Sequence, residues 1–355
     1  MLIAALAYLS IPLSALLRAS GEPVLEGRDP VELCAGREIA GDEARSLERF
    51  GATYLFSSEE NLRRFEAEPE RFEIQMGGGC GRMGPLSGNC SPARFAVHGE
   101  RIYVFASDAC RASFLAAPDK HLDRDDAPLG EAGLDREAGR ALLEKLLAGL
   151  GGRERVDAVA STRWMKQVEQ ESGGKKYPTS ESVTCRFPDD LRHDSSWGES
   201  SWFEVDTRRD GFRGPEAIET LHPESRRELR RQFGREPLFL ARHREGDRFE
   251  VAAAGTRTVQ GVECRELLVR FEGSRTSLFV DADSGRVLRA EWRGRLGSGP
   301  NGDVAVDYSD FRTVAGLTLP HAREVTFDGK PVAHRSGPLD ELEVDAALPD
   351  DLFLR

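Results

Sequence analysis

A chain of 355 residues exceeds what one core organises, and 39% hydrophobic with 31% charged residues excludes an intrinsically disordered segment. The formal net charge of −12 is spread without a basic block, so nucleic acid is not an expected partner. The six cysteines fall as four in the first third, Cys34, Cys80, Cys90 and Cys110, and two beyond it, Cys185 and Cys264.

Residues 1–21 hold the one strongly apolar run, Leu2 through Leu17, interrupted by Tyr8, Ser10, Pro12 and Ser14. The run is short and broken for a membrane span, and Ala19-Ser20-Gly21 supplies the small residues a signal peptidase requires. It reads as a signal peptide or N-terminal anchor, which predicts a periplasmic or secreted protein touching membrane only through this segment. An oxidising compartment favours disulfides, and an even number of cysteines in each part is what disulfides need. Four cysteines allow three pairings, and the residues alone do not choose among them.

Residues 22–122 contain an internal repeat. Ala52-Thr53-Tyr54-Leu55-Phe56-Ser57-Ser58 leads into Asn61, Phe65 and Pro69, and Arg101-Ile102-Tyr103-Val104-Phe105-Ala106-Ser107 leads into Cys110, Phe114 and Pro118. Each copy predicts a short strand, a capping Ser or Asp, and a two-turn helix closed before proline. The loop Met76-Gly77-Gly78-Gly79-Cys80-Gly81-Arg82-Met83-Gly84 should lie where the copies meet. It lacks the Gly-Lys-Ser or Gly-Lys-Thr ending of a phosphate loop, so its glycines predict close backbone approach or positive φ.

The Asp29-Pro30-Val31 start, Tyr54-Leu55-Phe56-Ser57-Ser58 with Phe65 and Pro69, and Cys80-Gly81 followed by Tyr103-Val104-Phe105, Cys110 and Phe114 resemble the YHS domain over residues 25–122. Cys80 and Cys110 match the first and last cysteines of that family, whereas Ala106 replaces the middle one, and the first copy has Ser57 and Asn61. The resemblance implies that Cys80 lies near Cys110, with Cys34 and Cys90 left to pair. A bond across a loop of about thirty residues would contribute on the order of 3 kcal/mol. It also implies the alternative of a heavy-metal site: Cys80 and Cys110 with Met76, Met83 or His98 would suit copper or another soft ion. No C-x-x-C spacing supports that alternative. His121 falls where the first copy has Phe72, which predicts a partly buried ring.

Residues 123–133 are charged and rich in breakers, and they read as a linker. Beyond it, residues 134–355 form the second expected domain. Leu134, Ala138, Ala141, Leu142 and Leu146 make the apolar stripe of a helix ended by Gly149, Gly151 and Gly152. Strand character follows in 156–168, 181–187, 201–206, 248–253, 261–271, 276–280, 286–293, 303–312, 317–327 and 339–344, with one further helix at 223–233 begun by Pro223. One long helix and about ten antiparallel strands predict an α+β chain in which a curved sheet, a half-barrel, wraps a helix. The hairpin Leu278-Phe279-Val280-Asp281 to Arg286-Val287-Leu288, then Asp307-Tyr308-Ser309-Asp310-Phe311, Gly316-Leu317-Thr318-Leu319-Pro320 and Leu348-Pro349-Asp350-Asp351-Leu352-Phe353, resemble the lipoprotein-carrier fold of LolA and LolB. That resemblance implies an apolar cavity covered by helices.

Catalytic patterns are absent from the sequence. There is no G-x-S-x-G, so His193, Asp194 and Ser195 read as neighbouring polar residues in a turn. Cys185 and Cys264 fall on expected strands without a basic neighbour or helix start to activate either, so they read as a disulfide or as buried thiols. His222 reads as the cap of the 223–233 helix. The expectation is a non-enzymatic, cofactor-free binding protein of the cell envelope that holds an apolar small molecule, lipid or lipoprotein. The alternative is metal binding or sensing by the first domain, with the barrel as scaffold.

Overall fold

The structure, a computed structural model, describes residues 22–88, 90–122, 128–130, 133–215 and 218–355, with Ser172 described by its backbone alone. The expected signal peptide or anchor at 1–21 and most of the expected linker lie outside the described residues.

Among the described residues one large apolar core forms in each of two units, with three smaller clusters beside the second. The first is built from residues between Val24 and Phe114. Helix α1, Pro30–Cys34, opens it, capped by Asp29. Each repeat copy is then a hairpin followed by a helix: β1, Asp42–Arg49, with β2, Ala52–Phe56, and α2, Glu59–Ala67; then β3, Ser91–His98, with β4, Arg101–Phe105, and α3, Asp108–Ala116. The expected caps are Ser58, which accepts from Asn61 N at 3.2 Å, and Ser107, which accepts from Cys110 N at 3.1 Å. Aromatic packing repeats with the fold: Tyr54 and Phe65 rings lie 4.9 Å apart, Tyr103 and Phe114 rings 4.8 Å apart. The sequence pattern predicts one strand per copy. The partners β1 and β3 are added by two-residue turns, Phe50-Gly51 and Gly99-Glu100, all four residues at positive φ, which matches the twist of a tight hairpin.

In the second unit α4, Arg136–Leu150, buries Leu142, Leu143, Leu146, Leu147 and Leu150. Ala141, expected on that stripe, is exposed, because the larger leucines release more water from their surfaces and set the helix rotation. The expected strand 156–168 is divided: α5, Arg153–Ala158, precedes β5, Ser161–Ser172. Strands β6, Lys175–Arg186, β7, Asp190–Trp197, β8, Ser200–Asp206, β9, Gly211–Gly214, and β10, Glu219–Thr220, follow. Helix α6, Pro223–Phe233, appears as expected, but a second helix α7, Pro237–Arg242, does not come alone from periodicity; it is too short to show one. Strands β11, Phe249–Val259, β12, Val262–Phe271, β13, Ser274–Asp281, β14, Val287–Gly294, β15, Gly302–Val314, and β16, Leu317–Phe327, complete the run.

All pairings are antiparallel, in two sheets ordered β10-β9-β8-β7-β6-β5 and β11-β12-β13-β14-β15-β16. Residues 337–344 join them. Gly337 and Pro338 pair with Arg323 and Ala322 of β16, and Glu341 through Val344 pair with Met165 through Thr162 of β5. Between these, Leu339 N donates to His321 O at 2.7 Å and Asp340 N to Met165 O at 3.0 Å. The result is one curved antiparallel sheet with open edges at β10 and β11, in an α+β chain as expected. Its concave face holds α4 and α7. Close approach there depends on glycine: a Cβ on Gly139 would stand 2.5 Å from Ala252 Cα of β11.

Candidate functional site

The concave face is where an apolar ligand would sit, and the chain's own side chains fill it. In α7 Pro237, Leu238, Phe239, Leu240 and Ala241 are all buried, in a helix of six residues. Pro237 starts it, supplying the fixed φ of a first turn. Phe239 packs 6.0 Å from Phe187 and 6.3 Å from Phe271, and His243 stacks on it at 4.2 Å. Two hollows among the described residues are polar. One, about 10 Å³ between α6 and β14, has room for about one water and is lined by Glu228, Gln232, Arg235 and Trp292. The other, about 610 Å³, lies on the first unit beside Glu68, Arg71, Glu100 and Arg101. Where the carrier resemblance implied an apolar cavity, the buried side chains of α7 pack into the core.

One end of the concave face is charged. His193 of β7 has Glu204 Oε2 2.8 Å from Nδ1 and Glu181 Oε1 3.4 Å from Nε2, with the Phe233 ring 4.4 Å away. Burial disfavours the charged ring, but the hydrogen bonds and charges of Glu181 and Glu204 outweigh it and raise the His193 pKa to about 9. Burial pushes the Glu181 carboxyl upward, yet Arg335, 2.6 Å away, and His193 hold it far below the usual range. Arg323 lies over the Trp164 ring at 4.0 Å and 3.2 Å from Glu236, which Tyr308 Oη reaches at 3.4 Å. His193, Asp194 and Ser195 lie within β7 and not in a turn; Asp194 instead binds Arg192, and Ser195 Oγ donates to Ser180 O at 3.4 Å. Their side chains point to different partners, as a strand's alternation dictates.

All six expected disulfide candidates, Cys34, Cys80, Cys90 and Cys110 in the first unit and Cys185 and Cys264 in the second, are buried free thiols. Cys90, and not the Cys110 that the family resemblance implied, is the cysteine that acts on the Cys80 thiol, and Cys90 Sγ itself lies 3.6 Å from Gly88 O. The Cys90 side chain, with the backbone of Ala106, Arg82 and Met83, draws the Cys80 thiol well down despite burial; Cys80, then burial, pushes Cys90 up. Cys34 faces Arg71 and Arg101 instead of Cys90, and burial raises it to about 12. Cys185 of β6 and Cys264 of β12 belong to different sheets and different apolar clusters, so they are two buried thiols and not a pair.

The heavy-metal alternative does not fit these residues. Arg82 Nη1 lies 3.4 Å from Met83 Sδ and 4.0 Å from Cys110 Sγ, so a guanidinium cation already faces two of the expected ligands. His98 is turned edge-on to Phe114 at 6.0 Å. Met76 is buried in a turn before the glycines. Among the described residues no group of three or more His, Cys, Asp or Glu is arranged to hold a metal ion. His121 is buried against Phe114 at 6.0 Å, the aromatic slot that the repeat predicted.

The glycine loop does lie where the copies meet, and it also joins the two units. A Cβ on Gly77 would stand 2.6 Å from His222 Cβ, and one on Gly84 2.4 Å from Arg295 Cδ. Ser225 Oγ donates to Pro85 O at 3.0 Å, and Leu86 packs on the second core. His222 caps α6 as expected, accepting from Glu224 N at 3.2 Å, and sits 3.5 Å from Glu73 and 4.4 Å from the Phe50 ring.

No family model matches the chain, and no curated protein matches it. Solved structures do. A DUF1329 family protein from Desulfovibrio piger is 15% identical, with a TM-score of 0.40, covering 62% of this chain and 97% of that one. A LolA superfamily protein from Nitrosomonas europaea is 12% identical, with a TM-score of 0.40, covering 61% and 97%. An outer membrane lipoprotein-sorting protein domain from Vibrio parahaemolyticus is 10% identical, with a TM-score of 0.39, covering 62% and 97%. Likenesses this distant leave the fold resting on the strand order itself and leave function to the chain's own residues.

Two groups of residues escaped the sequence reading. The Glu181-His193-Glu204 cluster carried one signal: His193 stands two residues from the buried Leu191 on the same face of a strand. The buried helix α7 carried another, a Pro-Leu-Phe-Leu-Ala run that resembles neither an alternating strand nor a full amphipathic helix.

Proposed function

We propose that this chain is a non-enzymatic binding protein of the cell envelope that takes up an acyl chain or similarly apolar ligand in place of α7. The single observation behind this reading is that a six-residue helix, apolar from Pro237 to Ala241, occupies the concavity of a curved sheet. Exposing Leu238, Phe239 and Leu240 would cost about 2 kcal/mol each, roughly 6 in all, whereas burying an acyl chain of about 16 carbons at about 0.8 kcal/mol per methylene gains on the order of 12. The exchange is favourable for a lipid and unfavourable for a small polar ligand. Envelope localisation draws its support from the apolar run Leu2 to Leu17 and the small residues after it. Among the described residues no helix is long and apolar enough to cross a membrane.

The test uses the full chain. Native mass spectrometry should find co-purifying lipid, and a fluorescent fatty acid should bind and be displaced by unlabelled fatty acid. Phe239→Ala weakens the packing of α7 by about 3 kcal/mol and should tighten probe binding about tenfold or more. A chain that carries no lipid and ignores the probe, both as wild type and as Phe239→Ala, overturns the reading.

A further inference from the structure

The helix that fills the trough carries a polar head. Glu236 stands immediately before α7, so one carboxylate precedes the apolar run Pro237 to Ala241. Each of its oxygens has its own partner: Arg323 Nη1 donates to Oε1 at 3.2 Å, and Tyr308 Oη donates to Oε2 at 3.4 Å. Arg323 and Tyr308 are paired residues of β16 and β15, so their side chains leave the sheet on one face. It is the concave face, since Tyr308 packs in the same core as Leu238, Phe239 and Leu240. A carboxylate followed by an apolar body is the chemical plan of a fatty acid.

If this segment leaves the trough, a preformed anion site stays behind. Among the described residues Glu236 is the carboxylate that pairs with Arg323. Glu181, at the same end of the trough, is taken by Arg335 at 2.6 Å and His193 at 3.4 Å. The Arg323 guanidinium also rests on the Trp164 ring of β5 at 4.0 Å, a contact that does not involve α7 and holds the cation in place. Its Nε is buried without a hydrogen-bond partner, which leaves the second arm of the fork open to a carboxylate that can bond both. The Arg323 side chain is only 11% exposed, so it is costly to leave without an anion; Glu236 is 35% exposed, so the carboxylate position opens toward solvent.

We propose that the ligand is a single-chain amphiphile with a carboxylate head, a free fatty acid, whose head replaces Glu236 on Arg323 and Tyr308 while its chain replaces α7. The proposal rests on the reading of α7 as the occupant that a lipid displaces, and it adds the head-group chemistry. Selectivity follows from what a wrong head leaves behind. A fatty alcohol of equal length gains the same apolar burial but strands the guanidinium without its anion. A trough that recognised the chain alone would not favour the acid.

The test uses the full chain loaded with the neutral apolar dye phenylnaphthylamine and titrated with dodecanoate or dodecanol at about pH 8, where the acid is ionised. Dodecanoate should displace the dye at a concentration about tenfold or more below that of dodecanol. Glu236→Gln removes the internal carboxylate and should widen this preference, whereas Arg323→Gln should erase it. Because Arg323→Gln alone leaves Glu236 without its cation and can impair folding, the double variant Glu236→Gln with Arg323→Gln, uncharged on both sides, is measured beside it and should also show no preference. Equal displacement by acid and alcohol in both the wild type and Glu236→Gln, or a preference for the acid that survives in the double variant, overturns the head-group assignment and leaves the lipid reading standing. Failure of the dye to bind, or of both amphiphiles to displace it, in the wild type and Phe239→Ala alike overturns the two together.

Discussion

Raising the pH should loosen the second unit through one ring. Folding places His193 between Glu181 and Glu204 and raises its pKa from 6.5 to about 9. Below pH 6.5 both the folded and the unfolded chain hold the proton, so the added stability is fully present. Above it the unfolded state releases the proton first, and stability falls by 1.36 kcal/mol per unit until the folded ring also titrates, a total of about 3 kcal/mol. Glu181 and Glu204 are the other side of the same interaction and are not counted again. His243 and His334, both pushed down chiefly by burial, act below this window. All four tryptophans, Trp164, Trp197, Trp202 and Trp292, lie in the second unit, so their fluorescence follows its unfolding alone. Urea midpoints should drop between pH 6 and pH 9.5 in the wild type. His193→Gln should be less stable at pH 6 and lose most of the slope. A flat wild-type profile, or an equal slope in the variant, refutes the assignment of a charged ring inside this face.

Two further substitutions probe the frame. Asp29→Ala strips the acceptor from Val31 N, Ser57 N and Asn61 Nδ2 in a fully buried site and should cost the first unit about 4 kcal/mol. Hydrogen exchange in peptides covering Glu59–Ala67 should then accelerate; unchanged exchange would show that the cradle carries no stability. Gly139→Ala places a Cβ 2.5 Å from Ala252 Cα and 2.8 Å from Ala253 N, both backbone, so α4 must lift from β11. The net cost should be about 2 kcal/mol in the tryptophan-monitored urea midpoint, despite alanine's better helix propensity, and a stabilised variant would contradict the close packing.

What could be read from the chain beforehand was what neighbours in sequence determine. The caps Ser58, Ser107 and His222 each bond to an N–H two or three residues on, so their signal is local. The strand β1 was missed because Asp42–Arg49 is mostly exposed and carries one apolar residue of size, Leu47. Its existence depends on the Phe50-Gly51 turn, whose positive φ at phenylalanine has no sequence signature. The second sheet was legible as strand character, yet the register that sets Val183 opposite His193, and His193 opposite Glu204, depends on how each hairpin turns. The charged cluster was thus invisible until register was known. The same holds for Cys80. The family likeness alone pointed to Cys110, whereas the chain after Cys80 makes a compact turn through Ser87, whose Oγ accepts from Cys80 N at 2.8 Å, before it reaches Cys90.

The strand formed by residues 337–344 sets an order of events. Its two partners, β16 and β5, lie on opposite sides of it, and the contact from Gln167 N to Asp340 spans 173 residues of chain. Every hairpin in the two sheets can pair from local segments, but neither sheet can meet the other before this stretch is available. Closure by so distant a contact is slow compared with hairpin formation. During folding the chain passes through a stage with both sheets made and the trough between them ungated. On the proposed lipid-binding reading, a hydrophobic ligand presented at that stage would compete with α7 before the seam is sewn, so occupancy would be decided by what the chain meets while folding as much as by equilibrium exchange afterwards.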